Sequence, residues 1–174
     1  MKYLVKFIVV TFLLLIYTPA SAGQDVAYLD MKFVLNNSKA GKGAQDFLQK
    51  TFKENQKKFA DQEKNLKKDE TDLLTKKTIL SKEEYQKKTD DLRKKVIDYQ
   101  SQRRSSLEKI TVLRAEARQK LLKKIDPILN NYIKKNDIFM VIDKKNILGG
   151  NVKFDITKII IEKLNKELPS LNLK

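Results

Sequence analysis

The chain has 174 residues, and 37 Lys and Arg against 22 Asp and Glu give it a formal net charge of +15 at pH 7. It contains no His, Cys or Trp, which excludes Ser–His–Asp triads, Cys–His pairs, disulfides and the usual thiolate or imidazole zinc sites. With 34% charged residues and only five Gly and three Pro, the composition favours long helices over an enzyme, and we expect no catalytic residue, cofactor or metal.

The first 22 residues have the pattern of a cleaved secretory leader. Lys2 and Lys6 give a basic start, an apolar run covers residues 7–17, and Ala20-Ser21-Ala22 places small residues where signal peptidase cuts. The apolar run is about half of the ~20 residues that a membrane-spanning helix needs. We therefore expect export and a mature chain that begins at Gly23.

The central part of the chain is typical of two long helices. No Gly or Pro occurs in the 83 residues between Gly43 and Pro127, and both residue types usually interrupt helices. Ser81 followed by Glu84 three residues later forms a capping-box pattern, which predicts that a second helix begins there. We expect a hairpin of helical arms with a turn near residue 80.

These signals divide the mature chain into arms and a body. Residues 44–120 are the predicted arms, with helix one ending near residue 79 and helix two running from about 82 to 135. Residues 23–43 and 121–174 are richer in apolar side chains than the arms, so together they form the predicted body. The stretch Gly41-Lys42-Gly43 lacks the spacing of a phosphate-binding loop, and we interpret it as a turn.

The arms carry one incomplete apolar stripe. Apolar residues recur at intervals of seven in both predicted helices, which indicates an antiparallel coiled-coil contact, but the other core position of each heptad in helix one is polar. Two interpretations stay open: these side chains hold the hairpin together, or they are partly available to a guest polypeptide. The candidate guest-binding residues are Phe52, Phe59, Leu66 and Leu73.

The arms also carry most of the positive charge. Residues 48–124 contain 23 Lys and Arg against 13 Asp and Glu, a net charge of +10. Such a field attracts acidic partners, although Lys also keeps a long exposed helix solvated. All five Arg lie between Arg93 and Arg118. The candidate basic surface comprises Lys57, Lys58, Lys67, Lys68, Lys87, Lys88, Arg93, Lys94, Lys95, Arg103 and Arg104.

The two flanks predict a small α/β body. The apolar runs at residues 26–29 and 138–142 fit buried strands, and residues 147–151 suggest a third strand that ends in a turn. Asp155 is expected to cap a terminal helix whose inner face includes Ile159. Since so small a sheet is marginal alone and leaves open edges, we expect several chains to complete it. The predicted association residues are Val26, Tyr28, Ile138, Met140, Val141 and Ile142.

Four short motifs lie in the body: Val26-Ala27-Tyr28-Leu29-Asp30, Phe33-Val34-Leu35-Asn36, Asp137-Ile138-Phe139-Met140-Val141-Ile142-Asp143 and Asp155-Ile156-Thr157. They resemble those of the Skp/OmpH family of periplasmic chaperones. The resemblance implies a homotrimer in which short strands from three chains form a barrel and three helical hairpins surround a cavity. It also implies ATP-independent holding of unfolded outer-membrane proteins in the periplasm, with lipopolysaccharide or an anionic membrane surface as a further partner.

Two other classes of function stay open. A structural or envelope-tethering coiled coil needs a fuller heptad seam than this one. A nucleic-acid binder is suggested by the basic charge, but export argues against it, and the arms lack the interleaved arginine and aromatic residues of nucleic-acid platforms. The sequence thus predicts a mostly α fold, with a helical hairpin projecting from a short-stranded sheet that is completed by oligomerisation.

Overall fold

The structure, a computed structural model, describes residues 25–173, so the predicted leader lies outside the described residues. Within them the mostly helical fold, with a long hairpin and a small sheet, is confirmed. No helix in this part of the chain is both long and apolar enough to cross a bilayer. The elements in chain order are strand β1 (Asp25–Leu29), helices α1 (Met31–Asn37), α2 (Lys39–Thr75) and α3 (Lys82–Lys135), strand β2 (Ile138–Asp143), 3₁₀ turns at Lys144–Asn146 and Val152–Phe154, and helix α4 (Thr157–Glu167).

Helix α2 begins five residues before the predicted start at residue 44 and ends at Thr75, before the predicted end. Two side chains accept hydrogen bonds from backbone N–H groups that a helix start leaves unpaired. The Gly41 amide donates to Ser38 Oγ at 3.1 Å, and the Lys39 amide donates to Asn165 Oδ1 at 2.7 Å. The interpretation of Gly41-Lys42-Gly43 as a turn is therefore wrong, because these residues form the first turns of α2.

Gly41 is required where α1 and α2 meet. A Cβ atom at this position would overlap the carbonyl oxygen of Leu35, in the last turn of α1, whereas a Cβ at Gly43 would meet nothing within 4 Å. The missing side chain of Gly41 thus permits a backbone approach that no other residue type allows.

Helix α3 begins where the capping box predicts. The Glu84 amide donates to Ser81 Oγ at 3.2 Å, and the Ser81 amide donates to Glu84 Oε2 at 3.2 Å, so the predicted box is confirmed. At the other end the Asn136 side chain donates to the Tyr132 carbonyl at 2.7 Å, and Asp137 reverses the chain at a φ of 50°. With 37 and 54 residues, α2 and α3 are about 55 and 80 Å long.

Strands β1 and β2 pair in parallel, although more than a hundred residues separate them. The register pairs Asp25 with Ile138 and Val26 with Met140, so Phe139 is the extra residue of a bulge. Because partners in register share a face of the sheet, two faces are distinguished. The core face carries Ala27, Leu29, Ile138 and Val141, and the second face carries Val26, Tyr28, Met140 and Ile142.

The core of the body lies between the core face of the sheet, α1, α4 and the last turns of α3. Val34, Ile160 and Leu164 are completely buried there. In the last turns of α3, Leu121, Ile125 and Ile128 are buried in this core. Helix α3 continues through Pro127, since packing of its neighbours offsets the loss of one backbone hydrogen bond.

The prediction of a third strand at residues 147–151 is wrong. Residues 147–151 form a loop in which Leu148 is fully exposed. The third backbone segment beside β1 is instead at Asp155, which bridges Tyr28, and the next residue, Ile156, donates its amide to the Tyr28 carbonyl at 3.0 Å. Loop residues cover the Tyr28 ring, and Lys144 Nζ lies 5.7 Å from its centroid.

Two details of the terminal helix also differ from the prediction. The residue that caps α4 is Ile156, and Asp155 instead lies one residue earlier, where its carboxylate accepts from the Thr157 amide at 3.0 Å. Ile159, expected on the inner face, is 37% exposed, because the buried positions Ile156, Ile160 and Leu164 follow a spacing of four that leaves it at the edge of the packed face.

We predict that Gly41→Ala lowers the free energy of unfolding by about 1–3 kcal/mol, since the added methyl group must push α1 away from α2. Gly43→Ala, two residues on in the same helix, is the matched control. It should raise the free energy of unfolding by about 0.5–1 kcal/mol, because alanine is the better helix former and meets nothing. Urea unfolding followed by circular dichroism at one fixed protein concentration measures both. Equal effects of the two substitutions would contradict the close approach at Gly41.

Candidate functional site

The hairpin is held together by a thin apolar seam between α2 and α3. Near the body Leu48 is buried, and about three turns farther out Phe59 is only 7% exposed. The Phe59 ring packs edge-on against Tyr99, with centroids 6.0 Å apart and ring planes at 70°, an arrangement that aromatic pairs favour. Toward the tip the seam loosens. The half-buried side chains there are Leu66, Leu73, Leu80, Tyr85, Leu92 and Val96.

Polar contacts join the arms where the apolar seam is weak. Lys95 Nζ lies 2.7 Å from Asp69 Oδ2, and the Tyr99 hydroxyl donates to Glu63 Oε2 at 3.4 Å. Asp69 occupies one of the polar heptad positions that made the predicted seam incomplete, so that position contributes a cross-arm ion pair instead. Gln62 occupies another, and it has the one buried side-chain oxygen without a hydrogen-bond partner among residues 25–173.

The cross-arm carboxylate of Glu63 also has a partner on its own helix. Lys67 Nζ lies 2.9 Å from Glu63 Oε1. The hydrogen bond and the positive charge of Lys67, with smaller contributions from Tyr99 and Arg103, lower the pKa of Glu63 below its ordinary value, and the same pair raises the pKa of Lys67. Because both groups are solvated, the pair adds little stability. The contact of Glu63 that crosses to α3 is the one with the Tyr99 hydroxyl.

Every residue of the candidate basic surface is exposed. Three of these residues pair with carboxylates within the arms: Lys67 with Glu63, Arg93 with Asp90 at 3.2 Å, and Lys95 with Asp69. The others have no carboxylate within 4.0 Å in the described part of the chain, so their charge is directed at solvent. They are Lys57, Lys58, Lys68, Lys87, Lys88, Lys94, Arg103 and Arg104.

The four candidate guest-binding residues do not share one environment. Phe52 is 39% exposed, whereas Phe59 is enclosed by the hairpin, and Leu66 and Leu73 are half-buried. Both interpretations of the stripe thus apply, each to different residues: Phe59 holds the arms together, and Phe52 presents a ring to solvent. Their role in binding a guest stays a prediction.

A groove follows one face of the hairpin. Its part next to the body, the base groove, has a volume of about 780 Å³, with Leu48, Ala117 and Leu121 among its lining residues and Phe52 at its outer end. Phe52 also lines the next hollow, about 500 Å³, which extends to Tyr99. Because Phe52 lines both, the two hollows are neighbours along the hairpin, and together they are called the channel. A separate hollow of about 490 Å³ lies between the arms on the side of Lys109.

Three arginines line this channel, and the candidate basic surface included only one of them. Arg114 and Arg118 line the base groove, and Arg103 lines the next hollow. Steps of eleven and four residues bring side chains to nearly the same face of a helix. That spacing was the available signal for Arg114 and Arg118, but which face of α3 meets α2 depends on the register of the hairpin.

No cluster of three or more Asp and Glu suited to a metal ion occurs in residues 25–173.

Comparisons with known proteins agree on one family. The sequence profile of the family described as "Outer membrane protein (OmpH-like)" matches residues 25–164. The Skp-like protein of Pseudomonas aeruginosa is 25% identical over 166 residues, which cover 95% of this chain and 99% of that protein. The crystal structure of an OmpH-like protein of Caulobacter crescentus, whose proposed role is that of an outer membrane chaperone, superposes with a TM-score of 0.81. It is 14% identical, and the match covers 89% of this chain and 92% of that one.

We predict that Phe59→Ala lowers the local stability of the arms by about 3 kcal/mol, the usual cost of truncating a buried aromatic side chain. Phe52→Ala, one heptad earlier in the same stripe, should cost less than about 1 kcal/mol because its ring is already solvated. Native-state hydrogen exchange of the amides in residues 55–63 and 95–103 measures both. Similar losses in the two variants would mean that Phe52 also holds the hairpin.

Proposed function

The chain belongs to the OmpH-like family of outer membrane proteins, and we propose that it is a periplasmic chaperone that holds unfolded outer-membrane polypeptides between basic helical arms. The proposed cycle needs no nucleotide, because capture and release depend only on the strength of contacts along the arms. The leader at residues 1–22 supports export, and cleavage after Ala22 would place the mature protein in the periplasm.

The observation that carries this proposal is the channel along the hairpin. It combines partly exposed apolar side chains, such as Phe52, with the solvated Lys and Arg side chains of the arms around it. An unfolded polypeptide offers both apolar side chains and carboxylates, so it can contact the floor and the rim of the channel together. Long-range attraction speeds the encounter, whereas apolar burial holds the bound segment.

Holding a client also favours arms that are not rigid. The contacts between the outer halves of α2 and α3 are half-buried aliphatic side chains and solvated ion pairs, which are weak compared with a packed core. A tethering coiled coil needs the opposite, a continuous apolar seam that resists bending. The looseness of the tip supports a binding role over a tethering role.

We further propose that the protein is a homotrimer assembled through the second face and the bulged edge of the sheet. Within the protomer Val26 is 40% exposed, Met140 42% and Phe139 56%, so this apolar surface gains from being covered. A two-stranded sheet is also marginally stable alone. The number three rests on the family resemblance, since the exposed surface requires association without fixing its order.

Client holding is tested by deleting residues 59–104, a change that leaves every buried core residue of the body in place. Lys58 and Ser105, the residues to be joined, line the same hollow, so a short glycine linker can connect them. We expect the full chain to suppress light scattering when an unfolded porin is diluted from urea, and the deletion to weaken porin binding at least ten-fold while it remains folded. Full binding by the deletion variant would exclude residues 59–104 as the working surface and leave the base groove, which the deletion retains, or the body.

Assembly is tested with two substitutions at equally exposed apolar positions. Phe139→Asp puts a carboxylate on the bulged edge of β2, and Val112→Asp puts one on α3, where the side chain is 54% exposed. Sedimentation equilibrium should give three times the protomer mass for the unmodified chain and for Val112→Asp, and a lower mass for Phe139→Asp, because burying an unpaired charge opposes association. A stable monomer of the unmodified chain at micromolar concentration would reject the proposal.

A further inference from the structure

The base groove differs in charge chemistry from the rest of the arms. Its wall on α3 carries Arg114 and Arg118, whereas the polar residues of its wall on α2 are the neutral Gln45 and Gln49. Among residues 25–173, no Lys, Asp or Glu lines it. Elsewhere the arms present mainly Lys, so two of the five Arg in the chain lie beside this apolar hollow of about 780 Å³.

Neither of these two arginines forms an ion pair within the described protomer. Both are exposed, and neither lies within 4.0 Å of any carboxylate in residues 25–173. A guanidinium is less strongly hydrated than an ammonium and forms paired hydrogen bonds to a carboxylate. It is therefore the cation best suited to bind a carboxylate at the edge of an apolar groove.

The spacing of the two arginines defines the ligand further. Four residues along a helix correspond to a rise of about 6 Å, and alternate residues of an extended polypeptide are about 6.6 Å apart on the same side. Carboxylates at positions i and i+2 of an extended segment therefore match Arg114 and Arg118. Carboxylates at i and i+3 point to opposite sides and do not match. Apolar side chains of the same segment can contact Phe52, Leu48 and Leu121 along the floor.

We propose that the base groove binds an extended segment of client polypeptide in which two acidic residues, separated by one residue, adjoin apolar residues. This inference rests on the proposed function, because it names the chemistry that the client-binding surface prefers. A second copy of the chain is the less favoured occupant, since its arms carry a net charge of +10 and like charges across an interface oppose association.

The test uses the full mature chain and three labelled twelve-residue peptides with the same apolar residues. One has Glu at i and i+2, one has the same two Glu at i and i+3, and one has Gln at i and i+2. By fluorescence anisotropy we expect the first peptide to bind at least ten-fold more tightly than either of the others. Equal binding of the three peptides would overturn the proposal.

The variants then locate the preference. Arg114→Gln/Arg118→Gln should abolish it, and Arg114→Lys/Arg118→Lys should reduce it, because Lys lacks the planar fork. Lys109→Gln/Lys120→Gln removes the same charge from exposed positions of the same helix that do not line the base groove, and it should keep the preference. If this control loses as much as the arginine variant, diffuse charge is responsible and the proposal is wrong.

Two further outcomes are distinguished by the same proteins. A change in sedimentation mass for Arg114→Gln/Arg118→Gln would identify the groove as a contact between copies and overturn the proposal. If the unmodified chain suppresses porin aggregation yet shows no preference among the peptides, the groove proposal alone fails. If it neither suppresses aggregation nor binds any of the peptides, the proposed function fails as well.

Discussion

The parallel pairing of β1 with β2 is the constraint on which the rest of the structure depends. Parallel strands cannot be joined by a tight turn, so the chain must leave the sheet and return to the same end before β2 begins. Here α1 follows β1, α2 leads away from the body and α3 leads back, so these three helices form the crossover. The sheet topology therefore requires a crossover, and the length of α2 and α3 makes this crossover project from the body as arms.

The composition of the arms follows from that geometry. A crossover helix normally packs on its sheet and is apolar along one face. Most of α2 and α3 extends beyond the body, where within residues 25–173 of one protomer the only partner is the other helix. One apolar column is sufficient for that contact, and the edge-on pair of Phe59 with Tyr99 is part of it. The remaining surface is free to be charged, which is why the arms can hold most of the net charge without costly burial.

The sequence predicted the features that depend on neighbouring residues. The start of α3 follows from Ser81 and Glu84, and both strands follow from short β-branched and aromatic runs. It could not predict features that depend on distant partners. Gly41 lies within a helix because Ser38 and Asn165 cap that helix, and Asn165 is more than 120 residues away. Phe52 and Phe59 look alike in sequence, and their different exposure depends on the α3 side chains that lie beside each ring, with Tyr99 packed against Phe59.

The stability of the hairpin must fall from its base to its tip, and this gradient bears on where a client is held. Near the body Leu48 and Ile110 are buried, so the two walls of the base groove keep a fixed separation. Near the tip, half-buried aliphatic residues and solvated ion pairs permit local opening at low cost. A flexible tip can adapt to many chains, whereas selective recognition of a carboxylate pair requires a preorganised wall. Arg114 and Arg118 lie at the rigid end, the part of the arm where defined spacing between two cations is maintained.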